Sequence, residues 1–250
     1  MRALAVGIGN STIRLAVMED GEVCSRGICS HAEFRDRGIS SQELAGGGEL
    51  PRLAGVCSVV PEMTPVVTEA LHGTGVEDVR HVQPREATWF RSSYRSMDTL
   101  GADRFAVALA AKELYGSPCV VIDCGTATTI NVVDPDGRYL GGSIGVGVET
   151  AFAALHRGTA QLPDLSGSAA DAPVIGRDTG ECIVSGVLHT HCRALEGMAG
   201  DIVKITGPDT RIILTGGNAE RLRAAGLRLD AARDDDLLLR GVIFYLLFTA

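Results

Sequence analysis

The sequence predicts an α/β protein built as two similar lobes with a cleft between them. Three observations carry that expectation. Strand-like apolar runs alternate with helical stretches along most of the 250 residues. A strand–turn–strand pattern near the start returns after residue 117. In both copies the turn is made of small residues, chiefly Gly, Ser, Thr and Asn. The expected division is 1–117 and 118–250, two units of a size that a chain of this length can fill.

The elements follow in order. Ala3–Val17 is apolar, breaks at Gly7-Ile8-Gly9-Asn10 and resumes at Thr12, which reads as a hairpin. Met18–Glu22 centres on Asp-Gly and turns the chain again, so that Glu22–Cys29 forms a third strand. Residues 38–50, rich in Gly and Ser, read as a loop around a short helix. Leu53–Val60 is a strand ended by Pro61, Glu62–His72 has helical apolar spacing, and Val79–Val82 is a short strand. Pro84–Leu100 is a long polar loop of the kind that often carries function. Ala102–Tyr115 is a helix closed by Gly116.

Then the pattern restarts. Cys119–Ile122 is a buried strand, Asp123–Thr129 a polar turn, Ile130–Val133 a strand, Asp134–Gly137 a hairpin turn and Tyr139–Ile144 another strand. Glu149–Arg157 and Thr179–Met198 are helical. Arg211–Leu214 is a strand, Ala219–Ala225 a helix, and Leu237–Phe248 a final helix. Val6–Thr12 lies over Ile122–Thr128 as an internal repeat, with Gly9 on Gly125 and Thr12 on Thr128. Two such lobes facing one another make a cleft, and ligand sites favour such places.

Composition narrows the function classes. Apolar residues make up 45% and charged residues 22%, as in ordinary globular proteins. A net charge of −8 without any dense Lys/Arg run argues against nucleic acid, whose phosphates need a basic face. Arg85, Arg91, Arg95 and Arg104 are scattered, as on a solvated surface. The seven Cys lack CxxC spacing, so neither a disulfide framework nor a zinc ribbon is indicated, and a reducing cytoplasm is the natural compartment. MRALAVGIGN does not read as a secretory signal, and VIFYLLFTA is too short to span a bilayer.

Four motifs could carry chemistry. In Asp123–Thr129 the small residues let backbone N–H groups and Thr hydroxyls approach a phosphate, and Asp123 can hold a cation. A bare hairpin would use the same Thr residues only to satisfy its turn. The partner turn at 7–12 and Gly216-Gly217 after another strand favour the ligand reading. In Leu100-Gly101-Ala102-Asp103-Arg104, Asp103 is either a helix-start acid that meets the helix dipole or a reacting carboxylate, and Arg104 either an anion clamp or a surface charge. Gly141–Gly147 has Gly-rich spacing but no Gly-Lys-Ser/Thr, so it is no P-loop. His189 and His191, two apart on a helix, point to different faces and read as unrelated.

Taken in order, these pieces resemble type III pantothenate kinase, of the actin and sugar-kinase superfamily, along nearly the whole chain. Gly9-Asn10-Ser11-Thr12 is similar to the family's first phosphate motif, Asp-x-Gly-Asn-Thr. Tyr94 with Leu100–Arg104 resembles its pantothenate segment, and Asp123–Thr128 its second phosphate motif. Gly141-Gly142, Gly147, Ala154-Leu155, Thr159–Pro163, Gly176–Thr179, Ser185-Gly186 and Thr215–Gly217 complete the series. The resemblance implies an actin-like (ribonuclease H-like) fold and phosphorylation of pantothenate by ATP, the first step of coenzyme A biosynthesis. It implies Asp103 as general base, with Tyr94, Gly101, Ala102, Asp103, Arg104 and Thr179 around pantothenate. Gly7, Ile8, Gly9, Asn10, Ser11, Thr12, Ile13, Arg14 and Thr126 would face ATP with its Mg2+, and Asp123 would bind K+ or NH4+. A homodimer is implied as well.

Two departures stand out. Gly7 replaces the family's Asp, and it also lies over Asp123 in the repeat; Val146 replaces the Pro before Gly147. Loss of that Asp implies a weakened metal–ATP site. Besides an active kinase, the sequence therefore admits a non-catalytic paralogue that binds a ligand or partner, and a superfamily enzyme acting on another small acceptor.

Overall fold

In the computed structural model, residues 1–40, 48–168 and 173–249 are described. The chain forms two compact units, Met1–Leu114 with Asp236–Ala250, and Tyr115–Asp235.

In the first unit, β1 (Arg2–Ile8), β2 (Thr12–Glu19), β3 (Glu22–Ser30), β4 (Leu53–Ser58) and β5 (Asp78–His81) form one sheet in the order β3-β2-β1-β4-β5. β1 runs antiparallel to β2 and parallel to β4. Alternation along β1 sends Leu4, Val6 and Ile8 into a core with Ile13, Phe34, Val56, Met63, Val67 and Leu71. Phe34 comes from α1 (His31–Arg37), and Met63, Val67 and Leu71 from α2 (Met63–Gly73). The helix α1 was not anticipated, although Ser30 and Glu33 form a full capping box: Glu33 N donates to Ser30 Oγ at 3.2 Å, and Ser30 N donates to Glu33 Oε2 at 2.7 Å. The short helix expected within 38–50 falls largely on residues outside those described.

The opposite face of that sheet carries α7 (Leu237–Phe248), against which α3 (Ala102–Tyr115) packs at Gly241 and Ala106. Small residues on β1 and β4 let α7 approach; a β-carbon at Gly55 would run into Val242 and Leu246. The sequence division had kept 237–248 with the second half. The physical reason for its return is the apolar face of α7, which seals the β1/β4 surface of the first unit.

The second unit repeats the plan. β6 (Cys119–Cys124), β7 (Ala127–Val133), β8 (Tyr139–Val146), β9 (Arg211–Thr215) and β10 (Ala231–Arg233) are ordered β10-β9-β6-β7-β8. Antiparallel β6–β7 and parallel β6–β9 copy β1–β2 and β1–β4. Val120, Ile122, Ile130 and Leu214 pack beneath α4 (Val148–Gly158), α5 (Thr179–Thr206) and α6 (Ala219–Ala224) through Phe152, Leu188, Leu195 and Leu222. Helix α5 extends eight residues beyond its expected end at Met198, and the three-residue β10 was not foreseen.

Candidate active site

The first turn connects β1 to β2. Gly9 N donates to Thr12 O at 3.0 Å, which leaves Asn10 and Ser11 exposed at the tip. Of residues 7–14, Ile8 and Ile13 turn their side chains into the core and have only backbone to offer a ligand. His31, which sequence reasoning passed over, bonds Gly9 O through Nε2 at 2.8 Å and braces the turn.

The second turn is tighter than expected. Asp123, Cys124 and Ala127–Thr129 are strand, and only Gly125 and Thr126 remain as the tip. The two hairpins match in register. Gly7 faces Arg14 on β2 and Cys57 on β4; Asp123 faces Thr129 on β7 and Thr215 on β9. Thr126 is exposed, whereas its carbonyl accepts from Gly147 N at 3.2 Å and from Thr150 Oγ1 at 2.7 Å. Gly147 therefore serves close packing: a β-carbon there would strike the carbonyls of Gly125 and Thr126. Gly216, at φ +92°, likewise leaves room for the Asp123 carboxylate. Thr128 buries a hydroxyl that has no hydrogen-bond partner among the described residues. Burial, reinforced by the charges of Asp123 and Cys192, pushes the Cys124 thiol up to about 12, so it stays protonated.

The remaining candidates gather at the start of α3. The loop that leads there is fastened by a ring cluster: Phe90 lies edge-on to Phe105 at 4.9 Å between centroids, Trp89 meets Phe248 at 4.8 Å, and Phe105 meets Tyr245 at 6.1 Å. This cluster delivers Tyr94 to Arg104, whose guanidinium carbon sits 5.9 Å from the Tyr94 ring centre. Arg104 is only 6% exposed. The Asp103 carboxylate curls over its own helix start and accepts from Arg104 N at 2.7 Å. Gly101 makes that possible, because a β-carbon there would lie 2.6 Å from Asp103 Oδ1. Burial raises the Asp103 pKa above its ordinary value, opposed by the Arg104 N–H and charge. Cys57, at the end of β4, is buried and its thiol is pushed up by burial and then by the charge of Asp103.

Tyr94, Gly101, Ala102, Asp103 and Arg104 belong, like the first turn, to the first unit. Asp123, Thr126 and Thr179 belong to the second unit. Thr179 is exposed at the first position of α5, beside the cap in which Asp178 Oδ1 accepts from Glu181 N at 2.8 Å.

The sequence profile of the type III pantothenate kinase family matches residues 3–201. The chain belongs to that family. A type III pantothenate kinase from Chlorobaculum tepidum is 35% identical over 86% of this chain and 83% of its own. Another, from Dehalococcoides mccartyi, is 30% identical over 97% of this chain and 94% of its own. Among solved structures, a ROK family glucokinase from Streptomyces griseus, in complex with glucose and AMPPNP, superposes with a TM-score of 0.53. It covers 97% of this chain and 98% of its own at 14% identity, a likeness of fold: the actin-like, two-lobed α/β class of the sugar kinases.

For a pantothenate kinase the two departures now have surroundings. At Val146 the backbone carbonyl, which Pro would also carry, meets His191: Nε2 lies 2.8 Å from Val146 O while Nδ1 lies 2.8 Å from Val187 O. His191 is thus a brace between α5 and β8. Among the described residues no cluster of three or more His, Cys, Asp and Glu is arranged for a metal ion. Asp123, whose carboxylate lies against Gly216, carries the negative charge that a monovalent cation would need. The first turn does not fit a divalent cation, since Gly7 offers it no carboxylate.

Proposed function

We propose that this chain phosphorylates pantothenate with ATP, giving 4'-phosphopantothenate at the head of coenzyme A biosynthesis. The observation that carries the reading is the Asp103–Arg104–Tyr94 group at the start of α3, in a chain of this family. Asp103 takes the proton of the pantothenate hydroxyl as it attacks the γ-phosphoryl. A base with a raised pKa suits that step, because it holds the proton more firmly once taken. Arg104 and Tyr94 hold the pantothenate carboxylate, and Thr179 adds a hydroxyl. Asn10, Ser11 and Thr126 present exposed polar groups to the phosphates of ATP. Phosphoryl transfer depends mainly on such positioning and charge stabilisation.

The reading extends to K+ or NH4+ at Asp123, to Mg2+ entering with ATP, to a homodimer and to the cytoplasm. No helix among the described residues is long and apolar enough to cross a membrane. A coupled ADP-release assay with pantothenate, Mg2+ and K+ tests the reaction, and sedimentation tests the dimer. Turnover on the order of 1–100 per second is the range for kinases. Absence of both turnover and pantothenate binding overturns the reading.

A further inference from the structure

The two turns share one hairpin geometry but differ in what surrounds their matched positions. Asp123 lies in register between Thr129 and Thr215, and its carboxylate lies against Gly216, where a β-carbon would collide with it. At Gly7 the side-chain direction is taken by α7. A β-carbon there would lie 2.6 Å from Leu238 Cδ2, 3.7 Å from Leu238 Cγ and 3.7 Å from Leu239 Cδ2. Leu238 is half-buried and Leu239 buried. The nearest atom is the tip of a flexible side chain, so space can be made by rotating it. The chemistry of the wall remains: an acid at position 7 would stand among leucine methyls, where its charged form is penalised. Its strand neighbour Cys57 already feels the Asp103 carboxylate, so a second acid would meet like charge as well.

We infer that Gly7 and Leu238 are a matched apolar pair that excludes divalent-cation binding from the first turn, leaving that turn to grip phosphate through backbone and hydroxyl donors alone. This rests on the kinase reading of the turn. It follows that Gly7→Asp by itself installs no metal ligand, whereas Gly7→Asp combined with a shortened Leu238 does.

Four proteins test the pair: wild type, Gly7→Asp, Leu238→Ala and the double variant, with Gly7→Asp/Leu238→Val as a milder double variant should the alanine form fold poorly. Mn2+ alone is the probe, titrated by calorimetry, and melting temperature is followed without metal. Wild type and Gly7→Asp should bind Mn2+ alike, and the double variant roughly tenfold more tightly, a gain of about 1.4 kcal/mol. Gly7→Asp should melt several degrees below wild type, and the double variant should melt higher than the two single losses predict. Tenfold tighter Mn2+ binding by Gly7→Asp alone with an unchanged melting temperature overturns the pairing. So do strictly additive melting losses with no gain in Mn2+ affinity. Neither readout needs turnover, so absence of both pantothenate phosphorylation and pantothenate binding in all four proteins would refute the kinase reading and leave the pair to be judged on Mn2+ binding and melting.

Discussion

Asp103 answers to two demands that conflict. Its carboxylate caps the start of α3 and, in the proposed reaction, must also be desolvated enough to act as a base. Because its pKa is raised in the folded protein, the native state binds the extra proton between the unfolded and folded values. The favourable contribution is therefore complete below the unfolded pKa and lost as pH rises through the folded one. Asp103→Asn keeps an oxygen acceptor for Arg104 N and removes the buried charge. It should melt at or above the wild-type temperature at neutral pH, with the difference vanishing in acid, while kcat falls by about 10²–10⁴. A melting temperature below wild type at neutral pH would show that the cap outweighs the desolvation. Gly101→Ala presses on Asp103 Oδ1 from the other side. Its expected signature is a kcat lower by about 10–100-fold, since small misplacements of a reacting group are costly, with pantothenate affinity nearly kept. The surroundings of Asp103 were only half legible in the sequence. The motif around Asp103 marked the acid, but nothing in residue order shows that Gly101 acts by clearance for its neighbour, or that Cys57, 46 positions earlier, lies within reach of its charge.

At the scale of elements, helices and strands with strong periodicity were readable and their junctions were not. Ala102–Tyr115 and Leu237–Phe248 stand where their apolar spacing put them. The turn at Asp123 contracted to two residues because Thr128 and Thr129, polar by type, pair as strand and bury. β10 is only three residues long and is held by pairing to β9, a non-local cause that no local pattern displays. The seam between α3 and α7 is equally invisible in sequence. It depends on Gly241, where a methyl group would be driven into the backbone carbonyl of Ala106. Backbone is the obstacle there, so the helices must part. Gly241→Ala should destabilise the first unit by about 1–3 kcal/mol, the usual range for overpacking. Chemical denaturation measures it, and an unchanged midpoint would refute the close seam.

The whole molecule repeats one topology twice, and the repeat was visible because matched turns use matched residues. The assignment of α7 was not, since an apolar helix does not announce which sheet it will cover. Its location predicts the outcome of a deletion. A chain stopped after Asp235 should keep slow amide exchange in β6, β7 and β9 and lose it in β1 and β4, where α7 supplied Leu239, Val242 and Leu246. Equal protection of both sheets in the shortened chain would show that α7 is dispensable.

The same return of residues 236–250 to the first unit sets an order of maturation during synthesis. A ribosome delivers β1 to α3 first, but their covering helix follows only after about 120 further residues, on the order of ten seconds at ordinary elongation rates. Tyr115–Asp235 emerges whole within that interval. The half made first is therefore the half finished last, and during the wait its uncovered β1/β4 face is the surface a nascent-chain chaperone would find.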